Sequence, residues 1–269
     1  MTAPKSAEMV LELALEQGFD LVGVAPLRAP RAAARFEEWL LAGRQADMEW
    51  LEQHRARILD PRLSLPEGRS LLVVGLGHSR APVGLAGGAR VARYAAGRDY
   101  HNVIGRKLRK LAGALRARGL LGAWKKVVDA GPLLERSHAA EAGLGFESKA
   151  ANLLNPRFGP WFFLGELLLD VEVSPTPLAP AGSCGTCTAC LDGCPTGAIL
   201  EPGVVDARLC LSYQTIENRG PIPHALRERL GSWVFGCDVC SEVCPRGADA
   251  PDLAARFGTH AAVASGSAA

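Results

Sequence analysis

The chain has 269 residues, of which 48% are hydrophobic and 22% charged, a composition typical of a globular protein with a sizeable core and not of a disordered segment. Its formal net charge of +2 is too small to indicate a partner by itself. No apolar stretch is long enough to cross a bilayer or to form the core of a secretion signal, so the sequence predicts a cytoplasmic protein with no membrane contact.

Hydrophobic periodicity predicts alternating strands and helices over residues 1–175. An N-terminal amphipathic helix ends at Gly18, and Asp99 is placed to cap a long helix that Gly119 ends. The predicted strands cover residues 19–25, 70–76, 124–129 and 161–173, and the predicted helices cover 32–41, 47–59 and 100–118, with a further helix opening at Pro132. This order suggests one α/β sandwich around a mixed sheet, followed by a proline-rich linker over residues 174–182.

All eight cysteines lie in one segment of the chain, between Cys184 and Cys244. Their first run has the pattern C-x2-C-x2-C-x3-C-P, and a second run, C-x2-C-x3-C-P, follows an isolated cysteine. In bacterial ferredoxins the first kind of run gives three thiolates to one iron–sulfur cluster and its fourth thiolate to the other. The spacing therefore predicts two 4Fe-4S clusters, the first held by Cys184, Cys187, Cys190 and Cys244 and the second by Cys194, Cys210, Cys237 and Cys240.

Two other uses of these thiols compete with the cluster interpretation. A disulfide framework needs an oxidising compartment, and small secreted scaffolds spread their cysteines through the whole chain. Two zinc sites would also use eight thiolates, but an unbroken run of closely spaced cysteines with a trailing Cys-Pro is rare in zinc ribbons. Residues 176–250 are thus predicted to form a ferredoxin-like domain, and residues 251–269, rich in Ala, Ser and Gly, a disordered tail.

The segment from Arg90 to Lys126 contains eleven Lys and Arg residues and a single acid, Asp99. A run of charge is usually a solvated face, but the acids that would pair with these cations are missing here. Phosphate binding depends mainly on Lys and Arg, so the long helix in this segment is a candidate surface for nucleic acid.

Six longer stretches of the chain are informative in combination: 18–26 (GFDLVGVAP), 92–101 (ARYAAGRDYH), 128–136 (VDAGPLLER), 155–166 (NPRFGPWFFLGE), 210–223 (CLSYQTIENRGPIP) and 235–240 (FGCDVC). No single stretch is specific, but together they cover nearly everything from Gly18 to Pro245. Together they resemble one known family, the epoxyqueuosine reductases, which use cobalamin to finish the queuosine base of transfer RNA. That family usually has Gly-Trp-Ile-Gly-Lys-Asn-Thr where this chain has GFESKAA, so that only Gly145 and Lys149 match.

The resemblance implies an α+β fold, in which an N-terminal α/β sandwich binds cobalamin and a C-terminal domain like bacterial ferredoxin carries the two clusters. It implies a reductase that removes the epoxide oxygen of epoxyqueuosine at the wobble position of transfer RNA, which takes two electrons and two protons. An external donor of flavodoxin or ferredoxin type would supply the electrons to a monomeric enzyme bound to the anticodon loop. Many members also have a C-terminal helical-repeat domain that helps to grip the RNA, and a short form without it is expected here.

Asp129 is the candidate acid for that reaction. It ends a predicted strand, and burial among apolar neighbours such as Val127 and Leu133 would raise its pKa enough to keep a proton near neutral pH. The competing interpretation is that Asp129 caps the helix predicted to open at Pro132. The residues alone leave these roles about equal, and the resemblance favours the acid.

The basic helix makes Lys107 and Lys110 candidate contacts for the RNA, and Arg219, in a loop near the second cluster, would touch the same RNA loop. The resemblance implies that His101 makes no bond to cobalt. Two residues predicted to contact the cofactor, Ser212 and Asp238, could instead form hydrogen bonds within local turns. The residues expected to contact cobalamin are Arg62, Tyr100, Lys149, Ser212, Gly236 and Asp238.

Two other functions remain open at this stage. A two-cluster electron carrier fused to an inert or regulatory domain would bind no corrinoid. A cobalamin-dependent reductase of a small molecule, like the reductive dehalogenases, would share the corrinoid and both clusters, but the basic segment favours RNA over a small molecule.

Overall fold

The structure is a computed structural model that describes residues 7–178 and 182–259. Its α-helices are α1 (Ala7–Glu16), α2 (Ala33–Leu41), α3 (Glu49–Gln53), α4 (Arg55–Leu59), α5 (Tyr100–Ala117), α6 (Glu135–Glu141), α7 (Ala189–Gly193), α8 (Leu211–Ile216), α9 (His224–Arg227), α10 (Val239–Glu242) and α11 (Ala254–Phe257). Its strands are β1 (Leu21–Pro26), β2 (Ser70–Gly77), β3 (Val83–Gly84), β4 (Arg90–Val91), β5 (Trp124–Val127), β6 (Phe146–Glu147), β7 (Leu153–Leu154), β8 (Phe162–Leu169), β9 (Ile199–Glu201), β10 (Val204–Val205) and β11 (Trp233–Phe235).

The central sheet has four strands in the order β1-β2-β8-β5. Each neighbouring pair is antiparallel, so the predicted mixed sheet is wrong. The predicted strands do form, but sequence periodicity carries no information on strand direction, which depends on how the connections return the chain to the sheet. None of these connections makes the parallel crossover that the βα alternation suggested.

Helices cover both faces of this sheet. The side chains of β2 alternate, so that Leu72 and Val74 pack under α1 and α5, while Leu71 and Val73 pack on the side of α6. All four side chains are fully buried. The α/β sandwich predicted for the N-terminal part is therefore confirmed, as a helix–sheet–helix arrangement.

The cluster segment folds beside this sandwich from short elements. α7 lies within the first cysteine run and α10 within the second, and the two helices pack against each other. The parallel pair β11–β4 joins this segment to the chain that precedes α5. Two antiparallel pairs, β9–β10 and β6–β7, complete the described part of the region.

The predicted helices and strands form, but some of their boundaries differ; the strand predicted over residues 161–173, for example, ends at Leu169. Asp99 caps α5 by accepting a hydrogen bond from the backbone N–H of His101. The helix predicted over residues 47–59 is instead the two short helices α3 and α4, which meet at His54. The helix expected to open at Pro132 begins only at Glu135, because residues 129–134 form a turn after β5.

The chain after the cluster segment returns to the sandwich, in contrast to the disordered tail expected from residue 251. Phe257 is 6% exposed and meets Phe163 edge-on, with ring centroids 5.1 Å apart. Arg256 forms an ion pair with Asp20, and the carbonyl of Phe257 accepts a hydrogen bond from the N–H of Arg98. The rest of the predicted tail, 260–269, and residues 179–181 of the predicted linker lie outside the described residues.

Phe257→Ala should lower the free energy of unfolding by about 3 kcal/mol, because it removes a large buried side chain and leaves a cavity. Chemical denaturation followed by circular dichroism measures this change. The matched control is Leu41→Ala, since Leu41 is 80% exposed and its truncation should cost less than about 0.5 kcal/mol. Equal effects for the two variants would show that the C-terminal segment adds nothing to stability.

Candidate functional site

The eight thiols divide into two neighbouring groups. A small cavity is lined by Cys184, Cys187, Cys190 and Cys244, a much larger one is lined by Cys194, Cys210 and Cys237, and Cys240 borders both. Burial raises the pKa of Cys190, and the nearby Cys184 and Cys244 raise it further. Burial also raises the pKa of Cys240 to about 12, with Cys210 and Cys237 adding to the rise. The predicted ligation, in which each cysteine run contributes to both clusters, requires the thiols to be grouped in this way. Which thiol binds which cluster stays a prediction.

The competing uses of the thiols find no support in the geometry. All eight cysteines are free of disulfide bonds. In residues 7–178 and 182–259, no three His, Cys, Asp or Glu side chains come close enough together to hold a single metal ion, which is what a zinc site would need.

Polar groups aimed at sulfur also fit clusters in these positions. The backbone N–H of Lys149 donates to Cys184 Sγ at 3.5 Å, and that of Ala198 donates to Cys194 Sγ at 3.3 Å. Hydrogen bonds to ligand sulfurs stabilise the thiolate form and tune the potential of a bound cluster. The residues present therefore fit two 4Fe-4S clusters.

The larger cavity has a volume of about 1200 Å³. Ligand pockets usually measure about 300–1,000 Å³, so this space suits an unusually large ligand such as a corrinoid. One side of the cavity carries the second thiol group, and another carries Asp129 and Tyr100. Its walls are rich in large apolar side chains, among them Phe36, Trp39, Trp50, Leu51, Tyr94, Trp161, Phe162, Phe163, Tyr213 and Phe235.

A cluster of polar groups around His101 also lines the cavity. The His101 ring lies between two carboxylates, with Nδ1 2.7 Å from Asp99 Oδ1 and Nε2 3.1 Å from Asp129 Oδ2. Burial alone would lower the pKa of His101, but its hydrogen bonds to Asp129 and Asp99 raise it above the ordinary value. The Tyr100 ring stacks on Phe163 at 4.1 Å. Burial raises the pKa of Tyr100, and the adjacent Asp129 carboxylate raises it further.

The structure corrects both sequence arguments about Asp129. Its side chain is 59% exposed to the cavity, so the expected burial among apolar neighbours is wrong. It does not cap α6 either, because that helix starts six residues later and Leu134 at its N-cap makes no side-chain bond. Asp129 instead has a left-handed backbone, with φ of 56°, and its N–H donates to Glu135 Oε1 at 2.7 Å. This turn is what holds the carboxyl beside Tyr100 and His101.

Ser212 and Asp238, two of the predicted cofactor residues, line the cavity next to the second thiol group. The Asp238 carboxylate accepts hydrogen bonds from Arg93, at 2.8 Å from its backbone N–H and 3.0 Å from Nη1. Burial raises the pKa of Asp238, although Arg93 opposes the rise. Gly236 has a φ of +69°, and a Cβ there would meet Ala92 at 2.4 Å, so its place before Cys237 depends on the absence of a side chain.

Arg62 and Lys149 are not among the residues that line the large cavity in the described part of the chain. Arg62 has a 60% exposed side chain that pairs with Asp60 in the turn after α4. Lys149 Nζ donates to the carbonyls of Gly185 and Cys187, at 2.8 and 3.0 Å, and so braces the loop of the first thiol group. Contacts of these two residues with cobalamin stay predictions.

The three predicted RNA contacts differ in their availability. Lys110 and Arg219 are exposed. Lys107 is half-buried, and its Nζ donates to the Gln17 carbonyl at 2.5 Å and lies over the Phe19 ring. Burial lowers the pKa of Lys107. The exposed basic face of α5 includes Arg106, Arg109, Lys110 and Arg116, and the exposed Arg118 follows at its C-cap.

Two family models match the chain. The model described as "Epoxyqueuosine reductase QueG, DUF1730" matches residues 59–130, and the 4Fe-4S double cluster binding domain matches residues 183–247. An epoxyqueuosine reductase of Synechococcus sp. (strain CC9605) is 45% identical over 245 residues, which cover 89% of this chain and 75% of the relative. The chain belongs to the epoxyqueuosine reductase family. One of Gloeobacter violaceus is 43% identical, over 90% of this chain and 76% of the relative.

Solved structures of epoxyqueuosine reductases share this fold. One in complex with an epoxyqueuosine-modified tRNA-Tyr stem loop has a TM-score of 0.84 at 29% identity, and the match covers 96% of this chain and 69% of that one. The enzyme from Bacillus subtilis, with its catalytic aspartate loop swung out of the active site, has a TM-score of 0.80 at 27% identity, covering 94% and 68%. The fold class predicted from the sequence is thereby confirmed, and membership of the family brings the cofactors with it: two 4Fe-4S clusters and cobalamin.

Sequence reasoning missed three residues of the site. The sequence analysis predicts only that His101 makes no bond to cobalt, although its position two residues after the capping Asp99 places its ring within reach of that carboxylate. Glu135 was overlooked because the helix was expected to open at Pro132. Nothing in the sequence marks Arg93 as the partner of Asp238, since the two lie 145 positions apart.

Proposed function

We propose that this protein reduces epoxyqueuosine to queuosine at the wobble position of transfer RNA, with cobalamin in the large cavity and electrons supplied through two 4Fe-4S clusters. The observation that carries the proposal is that one cavity is bordered both by the second thiol group and by Asp129 with its polar neighbours. Electrons and protons can therefore reach a single ligand from separate walls. Neither an electron carrier nor a binding module needs such a cavity.

When bound, the corrinoid supplies a strongly reducing, nucleophilic cobalt centre that delivers the electrons. The second thiol group and Ser212 would face it on one side of the cavity, and Tyr100 would lie on the other. With a corrinoid in place, the aromatic walls would exclude water from the space between, which would strengthen the electrostatic interactions there.

Asp129 would protonate the oxygen released when the epoxide opens. His101 Nε2 lies 3.1 Å from the Asp129 carboxylate, and a charged imidazole there can return a proton to Asp129 after it has given one away. Asp99 fixes the ring through Nδ1 at 2.7 Å, so that Nε2 faces the acid. Tyr100 lies beside the same carboxylate and is the next candidate for a proton donor.

The positions of the thiol groups suggest the direction of electron flow. Cys187 in the first group is exposed, whereas the second group borders the cavity. An external donor of flavodoxin or ferredoxin type would therefore deliver electrons to the first cluster, and the second cluster would pass them inward. We place this reaction in the cytoplasm and expect the enzyme to be a monomer. Among the described residues, no helix is long and apolar enough to span a membrane.

RNA would approach along α5. The N-terminus of this helix places Tyr100 and His101 in the cavity wall, and the rest of the helix exposes cations to solvent. The base to be reduced must leave the stack of the anticodon loop to enter such a cavity. The loop that contains Arg219 offers a second contact near the second thiol group.

Charge reversal of Arg106 and Lys110 together should weaken RNA binding and flatten its salt dependence. For each phosphate that the protein no longer neutralises, the slope of log K against log salt should fall by about 1. Fluorescence anisotropy with an anticodon stem loop, measured over a range of salt concentrations, tests this. Arg69→Glu is the matched control, because Arg69 is exposed just before β2, at the end of that strand opposite to His78 in the cavity wall. If Arg69→Glu lost as much affinity as the charge reversal of Arg106 and Lys110, α5 would not be part of the RNA interface.

The function itself is tested by anaerobic reconstitution with iron, sulfide and cobalamin. The reconstituted protein should take up corrinoid and convert epoxyqueuosine in transfer RNA to queuosine, as measured by nucleoside analysis. Absence of corrinoid uptake after cluster assembly would assign the chain to the electron carriers. Uptake with reduction of a halogenated aromatic but not of epoxyqueuosine would instead favour a small-molecule reductase.

A further inference from the structure

A carboxylic acid is buried in the middle of the central sheet, directly behind the Asp129 turn. Glu166 lies on β8, where it pairs in register with Val127 of β5 on one side and Val73 of β2 on the other. The residue is 0% exposed, and neither side-chain oxygen has a conventional hydrogen-bond donor within the described part of the chain. An isolated carboxylate in such a place would be very costly, because no solvent or cation offsets its charge.

The polar neighbour of Glu166 is a second carboxyl group, that of Glu135 at the start of α6. Glu135 is half-buried and accepts the backbone N–H of Asp129 at 2.7 Å. Two adjacent carboxyl groups can form a hydrogen bond only if one of them keeps its proton. The two groups therefore have to share a proton or repel each other.

We propose that Glu166 holds that proton and donates a hydrogen bond to Glu135, which stays ionised and fixes the backbone of Asp129 in its left-handed turn. This role for the pair rests on the proposed function, because Asp129 matters only if it is the acid of the reaction. Glu135 and Glu166 act here as positioning residues. A left-handed backbone is unfavourable at a non-glycine residue, and a hydrogen bond from its own N–H to a charged acceptor offsets that cost.

The surroundings of the pair explain why Glu166, and not Glu135, keeps the proton. Glu135 receives the N–H of Asp129 and lies near the guanidinium of Arg136, both of which favour its charged form. The charged or titratable groups facing Glu166 are Glu135 and Asp129, and both disfavour its ionisation. Burial raises the pKa of both groups, that of Glu166 well above its ordinary value.

The shared proton can be observed directly in the reconstituted full-length protein. Infrared spectroscopy at neutral pH should show the carbonyl stretch of a protonated carboxylic acid, shifted by 13C labelling of glutamate. Glu166→Gln should abolish that band, while the matched exposed control Glu172→Gln and the variant Asp129→Asn should retain it. Absence of the band in the parent protein, or its persistence in Glu166→Gln, would overturn the proposal.

The positioning role has its own readout in single-turnover rates. Glu166→Met removes the donor to Glu135 without adding a charge, and should lower the rate by up to about 10²-fold through misplacement of Asp129, with corrinoid and RNA affinities unchanged. Glu166→Gln can still donate to Glu135 and should recover most of that rate. Equal rates for the Met and Gln variants would overturn the positioning role.

Stability against pH gives a third measurement that does not depend on activity. A carboxyl group whose pKa is raised by folding stabilises the protein fully below its unfolded pKa of about 4.3, and this contribution is lost as pH rises through the folded value. Glu166→Gln should therefore gain stability relative to the parent as pH rises above about 4.3. A protein that shows the infrared band and this pH trend but reduces no epoxyqueuosine would support the carboxyl pair and overturn the proposed function.

Discussion

Asp129→Asn should leave the clusters, corrinoid uptake and RNA binding intact and yet reduce single-turnover conversion of epoxyqueuosine by about 10²–10⁴-fold, the usual contribution of a general acid. Asn has the shape of Asp and its carbonyl oxygen can still accept the hydrogen bond from His101. It cannot deliver a proton to the alkoxide that forms when the epoxide opens. Because Asp129 caps no helix, the substitution should change the free energy of unfolding little.

Asp249→Asn is the matched control, since Asp249 is exposed and lies after the second cysteine run, outside the described cavity lining. It should turn over at the parent rate. An Asp129→Asn variant that does the same would remove Asp129 from the reaction, and Tyr100, whose phenol lies beside the same carboxylate, would then be the group to replace. A decrease in both stability and corrinoid uptake would show a structural role instead.

Cys187→Ser and Cys194→Ser should each damage a different cluster, although both residues belong to the same run of the sequence. The parent should bind about eight irons and eight sulfides, in two cubanes, and each variant should lose or alter one of the two. Cys187 lies in the small cavity with Cys184 and Cys190, whereas Cys194 borders the large one. Electron paramagnetic resonance of the reduced proteins, with iron and sulfide analysis, distinguishes the two clusters.

The two variants serve as controls for each other. Only Cys194→Ser is expected to change the spectrum of bound cob(II)alamin, because its group borders the cavity proposed to hold the corrinoid. If both substitutions degrade the same cluster, the crossed ligation is wrong. Carefully prepared protein with two zinc ions and no acid-labile sulfide would exclude clusters altogether.

The sequence predicts those parts of the fold and site that depend on local chemistry. Asp99 caps a helix because its side chain reaches the N–H two residues later, and that relation is visible in the sequence. The cysteine runs predict clusters because a short loop must wrap several thiolates round one group of irons. The continuous apolar run that includes Leu72 and Val73 on β2 likewise predicts a strand buried on both faces, because successive side chains point to opposite faces.

What the sequence could not predict depends on contacts between distant segments. The exposure of Asp129 follows from the large cavity at the edge of the sheet, which is built from many parts of the chain. Lys149 was placed by resemblance to a motif that this chain only partly keeps, and its contacts with Gly185 and Cys187 cross more than thirty positions. The antiparallel sheet and the role of Glu166 depend on strand order, which periodicity does not determine.

Because the chain returns to the sandwich after the cluster segment, that segment is attached to the sandwich at both of its ends. One covalent connection enters the cluster segment after β8, and another leaves it and is anchored to the sandwich by Arg256 and Phe257. A region held at two points cannot swing about a single hinge. The second thiol group should therefore keep its place beside the large cavity as RNA binds and leaves. A cluster held there would pass electrons at a rate that varies little, and cutting the chain before Arg256 would broaden that rate into a distribution.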